Sequence, residues 1–159
     1  MEAPESRLIT LRSEFHQAVH QVVGRTRSQL CIQDLDLAEW PLETPAANSA
    51  LESVLCEPGS LVRIVVHRSD FVEKLAPRLT RLRQRFPGRI VIRVAPGNLP
   101  AVEGLLIGDD RDLLRRASPE AWRGRVQFDA PEEVEPWRRK FLALWSVCEI
   151  ELGLTTLGL

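Results

Sequence analysis

The chain has 159 residues, of which 44% are hydrophobic and 27% charged, with a formal net charge of −1. At roughly 100–200 residues per domain this reads as one domain over 1–159, with a core over about 10–149, that can bury about two-thirds of its unfolded surface without metal or disulfide staples. The balance excludes a collagen, a coiled-coil rod and a disordered chain, and the near-neutral charge gives no global field for nucleic acid or acidic lipid.

In chain order, Ser13 to Arg27 is the first expected helix, with Ser13 as N-cap and Phe15, Val19 and Val22 on its core face. Gln29 to Leu37 reads as a strand whose second half alternates apolar and acidic. Trp40-Pro41 and Thr44-Pro45 mark a loop. Thr44 then caps a helix with Pro45 at its first position and Leu51, Val54 and Leu55 on its buried stripe, stopped by Pro58-Gly59. Ser60 to His67 is β-branched and apolar enough for a central strand. Ser69 should cap a helix running to Phe86, burying Phe71, Leu75, Leu79, Leu82 and Phe86, with Pro77 bending or splitting it. Arg89 to Val94 is a strand by its period of two. Gly104 to Gly108 and Asp112 to Arg115 form a hairpin around an acidic turn. Arg125 to Asp129 is a last strand. A final helix from about Pro131 to Glu149 carries Val134, Trp137, Phe141, Trp145 and Cys148 on one face. The apolar tail, 150–159, is expected to pack on the domain or on a partner. Alternating strands and helices predict an α/β fold, a mixed, mostly parallel sheet with helices on both faces.

Cys31, Cys56 and Cys148 lack a C-x-x-C and read as reduced core residues. With no signal peptide at the start and no apolar run near 18 residues, a cytoplasmic protein without membrane contact is expected. The 19 Arg and 2 Lys, with no Tyr, suggest a GC-rich bacterial genome.

The order of elements, ending in a hairpin, a strand and a Trp-bearing helix, resembles one half of a phospholipase D-like fold, most clearly over Val102 to Trp145. Active members carry His, one residue, Lys, four residues, Asp at the start of the hairpin: a nucleophile, a phosphate grip and a supporting carboxylate. Counting back from Asp109, the one match, places Val102 where the His would be and Gly104 where the Lys would be. The resemblance therefore implies a degenerate half-domain without its nucleophile. It also implies a homodimer, because one half forms half a site. The chain is also similar to a family of uncharacterised bacterial domains, found alone or behind an N-acetyltransferase domain. Segments like Asp34-Leu35-Asp36-Leu37-x-x-Trp40, Pro77-Arg78-Leu79 and Leu114-Arg115-Arg116 recur in that family, which suggests an acetyltransferase as partner.

Among the residues themselves, His67, Arg68 and Ser69 lie where the central strand gives way to a helix, the place where open sheets bind anions. His67 titrates near neutrality, and the guanidinium of Arg116 suits a phosphate or carboxylate. Asp70, in the first helical turn, can already satisfy the helix dipole. His16 and His20 share a helix face and Asp34 and Asp36 a strand face, but neither pair has a third ligand at matching spacing, so no metal and no cofactor are expected. Lys74, Arg78, Arg81 and Arg85 form a basic stripe that reads first as a solvated face. Of Arg115 and Arg116, alternation lets only one enter a cleft.

Three functions follow. The first is a non-catalytic binding or regulatory module on a phospholipase D-like scaffold, with no catalytic residues. The second is a phosphodiester- or anion-processing enzyme using His67 and Arg68. The third, disfavoured for want of a free aromatic to stack bases, is a nucleic-acid-binding protein.

Overall fold

The computed structural model describes residues 5–100 and 103–153. Eight strands form one sheet: β1 (Glu5–Ile9), β2 (Gln29–Asp34), β3 (Leu61–Val66), β4 (Ile90–Val94), β5 (Gly104–Gly108), β6 (Asp112–Ser118), β7 (Ala121–Phe128) and β8 (Ile150–Glu151). The helices are α1 (Arg12–Arg25), α2 (Pro45–Cys56), α3 (Asp70–Lys74), α4 (Pro77–Arg85) and α5 (Pro131–Val147). The strand order is β1-β7-β6-β5-β2-β3-β4-β8. Among the described residues only β2–β3 and β3–β4 pair in parallel; the other five pairings are antiparallel. The sheet is thus mixed α/β but mostly antiparallel, not mostly parallel. Strand–helix alternation holds only as far as β4. Beyond it, β5, β6 and β7 follow one another as a meander that needs no crossover helix.

Helices lie on both faces. On one face α1, α2 and α4 bury Phe15, Val22, Leu51, Leu55, Leu79 and Leu82 against the sheet. On the other, α5 alone supplies Val134 and Phe141 against Val65, Leu105 and Ile107. Val65 and Val66 are both fully buried, as a central strand covered on both sides requires.

Helix starts follow local chemistry. Thr44 caps α2 as expected, its Oγ1 accepting from the Ala47 N–H at 3.3 Å. Ser13 is not the N-cap of α1. Leu11 holds that place, and the Glu14 carboxylate accepts from the N–H groups of Thr10 and Leu11. Pro77 splits the long helix into α3 and α4, since it cannot donate the N–H that continuation needs. The break turns Leu75 outward, leaving it 65% exposed, and Phe71 and Phe86 are half-buried. The strand expected to reach Leu37 ends at Asp34, because Leu37 sits at φ 69° in a turn. β1 was not expected. It is an edge strand exposed at four of its five positions, with no alternation to betray it. Cys31 and Cys148 are buried but Cys56 is exposed, and all three are free. Of the apolar tail, Ile150–Glu151 forms β8 on the edge of β4; residues 154–159 lie outside the described part.

At the hairpin tip, Asp109 and Asp110 both adopt positive φ, 51° and 56°, as a two-residue turn matching sheet twist demands.

Candidate functional site

β5 runs antiparallel to β2, so Gly104 starts beside the carboxyl ends of β2, β3 and β4. Ligands of open sheets bind beyond that edge. The N–H groups of His67 and Arg68 both donate to the Leu35 carbonyl, at 2.9 and 2.8 Å, which fixes the turn out of β3. His67 and Arg68 line a cavity of about 200 Å³ with Leu35, Pro96, Gly97 and Leu99. Burial pushes the His67 imidazole below its ordinary value, while the Leu99 backbone and the Asp34 charge act the other way. The site therefore holds His67 toward its neutral form.

Ser69 holds the N-cap position of α3, its carbonyl accepting from the Glu73 N–H at 2.9 Å, but it makes no side-chain cap bond: its backbone angles are helical, and its hydroxyl donates to the Glu73 carboxylate at 3.3 Å. Arg116 does not line the cavity. It is 4% exposed, and it donates to the Ala121 carbonyl from Nε and to the Pro119 carbonyl from Nη2, both at 2.8 Å. Its guanidinium lies 4.1 Å from the Trp122 ring centroid. Arg116 thus clamps the β6–β7 turn.

Gly104 is enclosed. A Cβ there would meet Asp34 Oδ1 at 3.1 Å, Arg116 Cβ at 3.3 Å and Trp40 Cζ2 at 3.3 Å. Asp34 is 2% exposed. Its Oδ2 accepts from the Leu37 N–H at 2.9 Å, while Oδ1, like Trp40 Nε1, is buried with no partner among the described residues. A carboxylate thus stands beside the position to which the resemblance assigns a lysine. Val102 lies outside the described residues.

Asp109 has a structural duty. Its carboxylate accepts from the backbone N–H groups of Arg27, Ser28 and Gln29 at 2.8, 2.9 and 3.0 Å. Burial raises the cost of its charge, but these bonds outweigh it and hold the carboxyl below its ordinary value.

The other candidates resolve into ordinary contacts. His16 Nε2 bonds the Glu39 carbonyl at 2.9 Å, and Asp36 accepts from the Ala38 N–H at 2.9 Å. Among the described residues no group of three His, Cys, Asp or Glu could hold a metal. At the start of α4, Glu43 accepts from the N–H groups of Arg78 and Leu79, both at 2.9 Å, so the helix dipole already has its anion. On the basic stripe, Arg85 pairs with Glu52 at 2.9 Å. Among the described residues no helix is long and apolar enough to cross a membrane.

Sequence reasoning passed over Arg123 and Arg125. They lie on the α5 face of the meander with Arg115, around a second cavity. The alternation Arg123-Gly124-Arg125 was the available signal, masked by starting that strand at Arg125.

Solved structures share this architecture. Nuc from Salmonella typhimurium, a phospholipase D family member, aligns with a TM-score of 0.66 at 13% identity, covering 91% of this chain and 96% of its own. NucT from Helicobacter pylori aligns at 0.60 and 13%, covering 92% and 98%. TrmBL2, an archaeal chromatin protein that binds DNA, aligns at 0.66 and 12%, covering 92% of this chain; this chain spans 54% of TrmBL2. At such identities the likeness is one of fold, and the fold is phospholipase D-like. No curated protein matches in sequence. A family model matches residues 11–157, and the chain belongs to that family, the domain of unknown function DUF7931.

Proposed function

We propose that this chain is a non-catalytic binding or regulatory module on the phospholipase D-like scaffold, acting as a homodimer. One observation carries the reading: the buried Asp34 carboxylate, with one oxygen unpartnered among the described residues, beside the backbone of Gly104. A phosphodiester brought there would meet a negative charge where an active member offers a positive one, and in a buried setting such repulsion is only weakly screened. Asp109, the one matching motif residue, is committed to backbone N–H groups, which explains a need for it without chemistry. The dimer rests on the resemblance, in which one half builds half a site.

The test is turnover of a chromogenic phosphodiester by purified protein, compared with His67→Ala and Asp109→Ala, each checked for folding by its melting curve. No turnover above buffer is expected. A rate that scales with protein and disappears in folded His67→Ala would replace this reading with the anion-processing enzyme built on His67 and Arg68, whose shared cavity is the observation in its favour. Sedimentation at several concentrations tests the pairing, and a monomer throughout removes it.

A further inference from the structure

The α5 face of the sheet carries a cavity of about 260 Å³ lined by Arg115, Arg123 and Arg125, with Leu8 and Gly124 among the others. It shares no lining residue with the strand-end cavity, none of its lining residues is acidic, and α5 supplies none of them. Its charge is concentrated by register. Arg115 on β6 and Arg125 on β7 are directly opposite partners and so point to the same face, and Arg123 lies two residues further along β7. Like charges placed directly opposite one another destabilise a strand pair.

Among the described residues little neutralises them. The Arg125 guanidinium donates to a neutral hydroxyl, Ser6 Oγ, at 2.7 Å. Among the described residues Arg115 reaches one carboxylate, Glu103, at 3.5 Å, and its Nε is buried without a partner. Arg123 makes no side-chain hydrogen bond or ion pair among the described residues. Meanwhile Arg115 is held in place. Its guanidinium lies 3.7 Å from the Trp137 ring centroid, and Lys140 approaches the same ring at 4.4 Å.

The backbone contributes as well. The β6–β7 register shifts between Arg116 and Ser118, and a Cβ on Gly124 would lie 2.0 Å from the Arg115 carbonyl oxygen. Glycine is therefore obligatory at this bulge, and bulges re-aim neighbouring side chains. Here the neighbours are Arg123 and Arg125.

We propose that this cavity binds a phosphate group, held by Arg115, Arg123 and Arg125. Three guanidinium forks offer more donors than one carboxylate can accept, whereas the oxygens of a phosphate can each take one or more, in the paired geometry arginine favours. The group can be a free or terminal phosphate or a backbone phosphodiester, since the chemistry is shared. The site stands whether or not the strand-end edge turns over a substrate.

The test is a thermal-shift titration with inorganic phosphate against chloride at matched ionic strength. It compares the unmodified chain, Arg123→Ala/Arg125→Ala, and Arg68→Ala as a control for the strand-end cavity. Both arginines of the double variant are exposed, so its melting curve in chloride should remain cooperative. The unmodified chain and Arg68→Ala are expected to be stabilised by phosphate, with affinity in the double variant weaker by at least about tenfold. No stabilisation of the unmodified chain by phosphate or DNA, or an effect kept by the double variant and lost in Arg68→Ala, overturns the proposal. A second arm distinguishes the sources with a short DNA duplex at several salt concentrations. Tight binding whose logarithmic salt slope falls by about two in the double variant identifies backbone phosphate. Inorganic phosphate binding without DNA binding identifies a small phosphorylated ligand. Either result supports the site.

Discussion

At the open end of the β5–β6 hairpin, two adjacent arginines meet opposite surroundings. Arg116 faces α1, where two carbonyls and the Trp122 ring hold it and a buried carboxylate sits close by at Gly104. Arg115 faces the α5 side, where its directly opposite partner is another arginine and one of its nitrogens has no partner among the described residues. The first is a finished structural joint, and the second belongs to a group of three arginines that meets the single carboxylate of Glu103 among the described residues. Motif logic looks for chemistry at the joint, because that is where the scaffold's nucleophile belongs. The surplus cation lies one residue away, on the other side of the sheet.

The contrast can be broken by four substitutions. Gly124→Ala should have the largest effect. Its new methyl cannot coexist with the Arg115 carbonyl, so the bulge must rearrange, at a cost near the upper end for overpacking, about 3 kcal/mol. Chemical denaturation reads this directly, and a near-neutral result would mean that the bulge is plastic and does not fix Arg123 and Arg125. Next, Asp34→Ala leaves the buried Leu37 N–H without its acceptor and should cost about 1–2 kcal/mol in the same assay. A gain in stability would show that the orphan Oδ1 outweighs the satisfied Oδ2, and that the filled joint is strained.

A smaller effect comes with acid. Asp109 has its carboxyl held below the ordinary value in the folded chain. Its contribution is therefore complete above the unfolded value, about 4, and is lost as pH falls through the folded one. Asp109→Asn should flatten the acid limb of stability measured by urea denaturation from neutral pH downward. An unchanged limb would remove Asp109 from the charges that matter. The smallest effect is that of Arg125→Gln. Relieving a like-charge cross-strand pair should leave stability in chloride unchanged or a few tenths of a kcal/mol higher, despite the lost bond to Ser6. A clear loss would make Arg125 a structural residue and the surplus charge an illusion.

The parts legible from sequence were those with strong local chemistry. Thr44-Pro45 announced α2, the β-branched run Leu61–Val66 announced a central strand, and the paired aspartates announced the hairpin turn. What stayed hidden depended on partners distant in the chain. β1 has one buried residue in five and exists because β7 offers it an edge. The duty of Asp109 is owed to residues some eighty positions earlier, and Glu43 caps a helix more than thirty positions later. The same holds for the candidate site. His67 and Arg68 could be placed at a strand end because chain order alone puts them there. Arg115, Arg123 and Arg125 needed the β6–β7 register before their convergence could be seen.

The edges of the sheet carry one more implication. The antiparallel meander β5–β6–β7 is closed by β1, from the start of the chain, while the parallel block β2–β3–β4 is closed by β8, from its far end. Each half thus borrows its outermost strand from beyond the other half. Neither can be cut out as a continuous segment and keep both its edges. Trimming the first nine residues would uncover β7, more than a hundred positions away, and trimming from residue 150 onward would uncover β4, exposing backbone edges that invite pairing with other chains. β1 and β8 act as crossed straps that tie the two halves of the sheet into one unit.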